Sequence, residues 1–250
     1  MEIAQKDPGT PVKKKDPIDI VGAFKWVAAD PDWLKKSAVA GLYMLIPIAG
    51  FLALFGWMRR IFERVKRGQT GLPDIDFGPD LSYGIAPFVA LLNVSLVVFV
   101  VYLVFGVAGF VMFAIADATG SSAVQSLAGV FMVLMQFVIM ALALGVNALM
   151  PEVWRRGMHG EMGPLFSPRV SIDAIKARPL ACLLAVVGVM AASMAGSVGI
   201  FLCYVGALVT MPAGYAVMAH IIAQWDDLVQ GGDEPEEPGG SEKWAVGPTA

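Results

Sequence analysis

From Lys35 to Gly68 the chain reads KKSAVAGLYMLIPIAGFLALFGWMRRIFERVKRG. This is an apolar run of about twenty residues, long enough to cross a bilayer, and it is broken near its middle by Pro47 and Gly50. Lys35 and Lys36 precede it, and Arg59, Arg60, Arg64, Lys66 and Arg67 follow it. Lys and Arg are retained on the cytoplasmic side of a membrane. A segment that is basic at both ends is therefore awkward as a simple span and natural as a hairpin that dips in and returns. Two arms, 37–46 and 51–60, would each be about 15 Å long, half the hydrocarbon thickness. A turn at that depth must have its backbone groups satisfied within the protein. The alternative is one Pro-kinked crossing.

The distribution of cations decides between the two. Seven of the 18 Lys and Arg residues lie before this run, five in the connection after it, five between residues 151 and 179, and one, Lys243, near the end. The remaining connections carry none. A hairpin followed by four spans keeps every cation on one face, whereas five full spans place seven or eleven on the wrong one. The expected fold class is thus all-α and polytopic: an amphipathic interfacial helix, a re-entrant or short hairpin, and four transmembrane helices, with five full spans as the alternative. Composition agrees, since 57% of residues are hydrophobic and 16% charged, against about 25% charged in soluble domains.

Three segments follow. Residues 1–16 read as a disordered basic arm and not as a signal peptide, because no apolar core follows their lysines. Residues 17–225 form a single helical membrane domain, and 226–250 an acidic disordered tail. Asp16 is the expected N-cap of the first helix, with Pro17 at its first position and an apolar face of Ile20, Val21, Phe24, Val27 and Ala28. Trp26 and Trp33 suit headgroup depth. Residues 61–84 read as a cytoplasmic connection ending in an ordered loop. Ile85–Ala116 and Ala123–Met150 read as two spans, joined by a cation-free turn. The basic connection 151–179 is punctuated by Pro151, Pro164, Pro168 and Pro179.

Leu180–Ile222 is about twice a single span and must fold back. Gly196-Ser197-Val198-Gly199 is its turn signal, Pro212 should kink its second half, and the last helix should end around Trp225. Small residues recur on both halves (Ala181, Ala185, Gly188, Ala192, Gly196; Gly206, Thr210, Gly214), a pattern that lets membrane helices approach closely. Cys182 and Cys203 fall in these helices as small hydrophobes, and no disulfide between them is expected. Glu63-Arg64-Val65-Lys66-Arg67-Gly68 faintly echoes Glu152-Val153-Trp154-Arg155-Arg156-Gly157. Either two parallel repeats or two similar basic interfacial stretches account for that.

Candidate chemistry is sparse. Asp74, Asp76 and Asp80 form a cytoplasmic loop cluster that offers oxygen ligands but lacks the spacing of a calcium loop, so a capped turn is the plainer reading and no metal site is assigned. His159, with Glu152 and Glu161, and the distant His220 fall short of a zinc or acid–base constellation; His220 reads as an interfacial residue with a hydrogen-bond partner. Asn93, Gln136 and Asn147 are the polar side chains inside spans, suited either to interhelical hydrogen bonds or to lining a path. No nucleophile elbow, zincin, Walker or dinucleotide motif occurs. Neither catalysis nor a cofactor is expected.

The order Asp30-Pro31-Asp32-Trp33-Leu34, Leu45-Ile46-Pro47-Ile48-Ala49-Gly50, Gly71-Leu72-Pro73-Asp74 with Asp76-Phe77-Gly78, and Met218-Ala219-His220 to Gln224 resembles domain of unknown function 4013 (DUF4013), across about residues 17–225. The resemblance implies a bacterial or archaeal multi-pass membrane protein and carries no catalytic or ligand residues with it. The expected role is a non-enzymatic component of the cytoplasmic membrane, both termini inside, that organises partners or lipids; a small transporter or permease subunit is the alternative. Its partners would be the bilayer and, through the small-residue faces, other proteins or further copies of itself, not nucleic acid.

Overall fold

The computed structural model describes residues 18–164, 167–201 and 205–231. Within them nine α-helices follow one another: α1 (Ile20–Ala28), α2 (Trp33–Tyr43), α3 (Ala49–Lys66), α4 (Phe77–Tyr83), α5 (Ile85–Thr119), α6 (Ser122–Met158), α7 (Pro168–Ala177), α8 (Pro179–Ser197) and α9 (Ala207–Gln230); no strand occurs among the described residues. Four of these helices, α5, α6, α8 and α9, are long and apolar enough to cross a membrane. The basic arm, the end of the acidic tail and Cys203 lie outside the described residues.

The broken run Lys35–Gly68 is a helix–turn–helix, and its second arm is the centre of the molecule. Leu54, Phe55, Trp57, Met58, Ile61 and Phe62 of α3 are all buried, packed with Trp154 and Met158 of α6 and with Ile221, Ile222 and Trp225 of α9. Phe55 meets Trp154 edge-on at 5.2 Å and Tyr215 at 5.9 Å. Eleven residues further along each helix Lys66 reaches Asp226, so α3 and α9 run side by side in the same direction. The arms differ from the symmetrical 37–46 and 51–60 that the apolar pattern suggests: α3 continues through Arg59 and Arg60 because Ile61 and Phe62 keep its apolar face buried.

The turn between the arms satisfies much of its backbone locally. The amides of Met44, Leu45, Ile46, Ala49, Gly50 and Leu52 donate to carbonyls between residues 40 and 48. Ala49 N bonds Pro47 O at 2.7 Å across Ile48, which sits at φ 64°, ψ −59°. That is the positive-φ γ-turn, a strained conformation for a β-branched residue. Leu42, Leu45, Ile46 and Ile48 are exposed around it. An apolar tip with few unpaired amides is what a lipid environment permits.

Elsewhere the helices depart from the sequence reading at their ends. The N-cap of α1 is Asp19, whose Oδ1 accepts from Gly22 N at 2.7 Å; Asp16 and Pro17 lie outside the described residues. Val21 and Ala28 point outward, while Ala23 takes their place on the buried face. Residues 77–83 form a short helix and not a loop, with Asp76 at its N-cap. Pro151 lies inside α6, which runs on to Met158 because Val153, Trp154 and Met158 are buried beyond it. Gly196 lies within α8, so the fold-back begins later, in the 3₁₀ turn Val198–Phe201. α9 continues past Trp225 to Gln230.

The small-residue faces of α8 and α9 are used on each other. Ala181, Ala185, Gly188, Ala192 and Gly196 are buried, Thr210 Oγ1 donates to Gly196 O at 2.6 Å, and a Cβ on Gly214 would lie 2.6 Å from the Ala192 carbonyl. These small residues are thus taken up largely within the chain. By contrast α5 and α6, about 50–55 Å long by helical rise, pack against the other described helices chiefly near their common base. In their apolar spans, 6% and 11% of residues are buried.

Close approach by glycine sets the central packing. A Cβ on Gly41 of α2 would lie 1.6 Å from the Leu208 carbonyl of α9, and one on Gly56 of α3 would lie 1.8 Å from the Asp80 carbonyl. Backbone cannot yield as a side chain does. Gly41→Ala should lower the thermal unfolding midpoint in detergent by the equivalent of about 2–3 kcal/mol. Gly106→Ala, at a glycine with open space around it, should leave the midpoint unchanged or raise it.

Candidate functional site

The chemically densest part of the molecule lies where α3, α6 and α9 end together. The helix periodicity of α9 (Ile221, Ile222, Trp225, Leu228, Val229) carries it one turn beyond Trp225 and buries Asp226 completely. Its Oδ2 lies 2.8 Å from Lys66 Nζ of α3. Its Oδ1 accepts from Arg155 Nη1 of α6 at 3.2 Å and from Gln230 Nε2 at 3.1 Å, and lies 2.9 Å from His159 Nε2. A second fully buried carboxylate, Glu152, takes the Arg155 guanidinium in a two-pronged contact, Nε at 2.8 Å and Nη2 at 2.6 Å, and accepts from Trp225 Nε1 at 3.1 Å. Two buried anions are thus matched by two cations, with His159 on the rim. Burial works against the Lys66 charge, but Asp226, then Asp227, hold its pKa above the ordinary value, so it remains an ammonium. Cations at helix C-termini also oppose the negative end of the helix dipole.

Two further charged anchors fix the loops beside this cluster. Asp30 Oδ2 accepts from Leu72 N at 2.6 Å and Lys36 Nζ at 2.9 Å, while Oδ1 accepts from Asp32 N at 2.8 Å. Burial opposes its charge, but Lys36, then the Asp32 and Leu72 amides, hold the carboxyl below its ordinary pKa. Arg156, buried in α6, bonds Glu161 and the Pro164 and Ser167 carbonyls, and so shapes the connection to α7.

The residues singled out from the sequence fall in three different situations. Asp80 is fully buried and gripped by both prongs of Arg60, and it accepts from the Asp76 amide at 2.8 Å. Asp74 is exposed and lies 3.9 Å from Lys36. Asp76 caps α4 with its main chain. The cluster therefore works as an arginine-held turn, and among the described residues no group of three His, Cys, Asp or Glu side chains is placed to hold a metal ion. Asn93 Nδ2 donates to Met162 O at 2.6 Å, tying α5 to the α6–α7 connection. Asn147 Nδ2 bonds the Ala143 carbonyl of its own helix, and Gln136 faces outward. The three amides do not converge. His220 finds its partner in Gln224, 2.9 Å from Nδ1, and meets the Trp26 ring at a tilt, 5.2 Å between centroids.

Asp226 is the residue that sequence reasoning missed, because the acidic tail beside it masks the continuing helical period. Glu152 and His159 were visible, but not as partners of a residue some seventy positions away. If the cluster holds three helix ends together, Asp226→Asn leaves Lys66, Arg155 and His159 undercompensated. It should destabilise the protein by about 3–5 kcal/mol in thermal or chemical unfolding. Asp227→Asn, at an exposed carboxylate on the same turn, should cost less than about 1 kcal/mol.

Asp30 adds a pH dependence. Its folded pKa lies below the unfolded one, so the unfolded chain takes up more protons in that range. Its stabilisation is whole above the ordinary aspartate value of about 3.9 and is lost as pH falls through the depressed folded value. Asp30→Asn should destabilise by about 1–3 kcal/mol at neutral pH. Unfolding midpoints of the two proteins, measured from pH 7 to pH 3, should draw together below about pH 4.

A sequence model of the family described as protein of unknown function (DUF4013) matches residues 39–219. No curated protein and no solved structure matches the chain. The matched residues run from α2 to α9 and take in the hairpin turn, the Leu72–Asp76 loop, α4, Glu152 and Arg155, stopping short of Asp226. They cover well over half of the sequence, and the chain belongs to the DUF4013 family.

Proposed function

We propose that this protein is a non-enzymatic component of the cell membrane that organises lipid or protein partners around the α5–α6 hairpin. The basic ends of α3 and α6 would lie on the cytoplasmic face, as expected of a bacterial or archaeal inner-membrane protein. One contrast carries the reading. The helices that meet at Asp226 form a closely packed, ion-locked head, whereas beyond Val94 and Val146 few residues of the hairpin are buried among the described residues. Phe99, Phe110, Phe113 and Phe137 are each at least 60% exposed there. A rigid mount with a long unshared apolar arm is suited to presenting a surface. The scattered placement of Asn93, Gln136 and Asn147 supports this reading over transport, since a path needs polar groups that face a common space.

Single-cysteine variants at Asn93, Gln136 and Asn147, in a background without Cys182 and Cys203, test it. Gln136→Cys and Asn147→Cys should react with a lipid-permeable maleimide and resist a charged, membrane-impermeant one. Reaction of all three with the charged reagent, protected by a solute, would replace the organising role with transport. A photo-crosslinker at Phe110 should capture a discrete neighbour, protein or lipid, that one at buried Leu54 does not. No capture at Phe110 would remove the basis of the reading.

A further inference from the structure

Most acidic groups around the basic ends of α3 and α6 are committed. Asp80 is held by Arg60, Glu161 by Arg156, and Asp226 by Lys66, Arg155 and His159. Among the arginines of α3 only Arg60 has a close carboxylate; Arg64, whose Nε is also sealed and unpartnered, turns to the Thr70 carbonyl at 3.4 Å, and Arg59 lacks even that acceptor among the described residues. Its side chain is 23% exposed, and its nearest carboxylate, Glu63 at 3.6 Å, is hydrogen-bonded instead to Arg67 at 2.9 Å. The Arg59 Nε is sealed from solvent and has no hydrogen-bond partner among the described residues. One carboxylate between two guanidinium groups leaves a positive charge uncompensated, and a buried donor without an acceptor is costly.

The surroundings of Arg59 are shaped for a ligand at the membrane boundary. Its guanidinium lies over the Tyr83 ring, 5.5 Å from the centroid, which fixes the plane of the fork. On the other side the α6–α7 connection passes at Gly160, whose φ is +93° and where a Cβ would already lie 3.8 Å from an Arg59 terminal nitrogen. Arg59 directly follows the charge-free stretch of α3, and Tyr83 stands two residues before α5, one of the four long apolar helices. Both therefore mark headgroup depth, where tyrosine and arginine are at home.

From this geometry we infer that Arg59, backed by Tyr83, is a binding site for a phosphate oxyanion, with an anionic phospholipid headgroup as the source that its depth favours. A planar guanidinium meets phosphate oxygens in the same two-pronged way as a carboxylate. The bilayer then supplies acceptors to the terminal nitrogens of the fork, while the sealed Nε faces Glu63 at 3.6 Å. The site stands independently of the hairpin's role, since it requires no partner on α5 or α6.

The test uses the full chain in mild detergent, with phosphatidylglycerol, phosphatidylcholine or inorganic phosphate added, and reads bound lipid by native mass spectrometry and stability by thermal unfolding. Phosphatidylglycerol should bind and raise the midpoint, and Arg59→Gln should weaken that binding about tenfold. Arg59→Lys, which keeps the charge without the fork and serves if the glutamine variant folds poorly, should fall between. Tyr83→Leu should lose part of the affinity, and so should Arg67→Gln, which frees Glu63 to compensate Arg59. An Arg59-dependent shift with inorganic phosphate equal to that with the lipid would keep the oxyanion site and make a soluble phosphate its source. Equal phosphatidylglycerol and phosphate binding by the parent protein, Arg59→Gln and Arg59→Lys would overturn the assignment.

Discussion

A carboxylate withdrawn from water must be surrounded by cations or give up its charge, and the architecture follows from how Asp226 meets that demand. No single helix supplies its partners: Lys66 comes from α3, Arg155 and His159 from α6, and Gln230 from one turn further along α9. The ends of three helices are therefore fixed in relation to one another, and through Glu152 and Trp225 the same contact reaches the apolar core. A hydrophobic interface between these helices would hold them with less geometric selectivity. Four charges with directional partners allow one register, which is the best-attested use of a buried ion cluster. The arms of α3 and α9 then run in step from Lys66–Asp226 to Phe55–Tyr215, and this alignment places the apolar tip of the α2–α3 hairpin beside the first turn of α9, where Gly41 touches Leu208.

The same principle recurs at smaller scale, and with it a repeated order of elements. α3 ends at Gly68 (φ +67°) with Gln69 N bonded to Arg64 O; α6 ends at Gly160 (φ +93°) with Glu161 N bonded to Arg156 O. In each case the arginine four residues before the glycine turns its guanidinium onto a carbonyl of the following loop, Thr70 O for Arg64 and Pro164 O for Arg156. A short helix comes next, α4 or α7, and after a single residue a long apolar helix, α5 or α8. The echo in the sequence is real as a succession of elements but displaced in register: the counterpart of Gly68 is Gly160, whereas Gly157 lies inside α6 against Pro87 and Ala90.

What could be read from the sequence were features with a long period or a strong sign. The four apolar helices, the hairpin at Pro47, the close packing of α8 on α9 and the partner of His220 all follow from runs, breaks and spacings within a few residues of one another. What could not be read depends on meetings between distant residues. Pro151 looks like a terminator until Trp154 and Met158 are seen to be buried beyond it, and Asp226 looks like the first residue of an acidic tail until Lys66 and Arg155 are beside it. The Asp74, Asp76 and Asp80 group misleads for a related reason. Spacing along the chain suggests three ligands for one ion, but the Arg60 fork takes Asp80 inward and leaves Asp74 in solvent. The motif residues that carry the family resemblance are, by contrast, the ones that join separate segments: Asp30 to Leu72, Trp57 to the Pro73 carbonyl, and Asp19 to Gln224.

The division between head and hairpin has a physical origin in how charge is spent along the chain. Every buried ion pair described lies at or before the base of α5, at or after the base of α6, or beyond them, and none lies in the distal parts of these two helices. A helix pair whose one distal charge, Asp117, stands at its outer end has little directional means to choose its neighbours; dispersion, small-residue contacts and lipid entropy must do it. α8 and α9 solve this with glycine and alanine on their shared face and thereby consume it. α5 and α6 touch closely at Gly109 and Met132, but leave Gly106, Gly129 and Gly145 open to their surroundings. The directional contacts of the described residues are thus concentrated in the head, and the distal hairpin presents side chains that are almost wholly apolar.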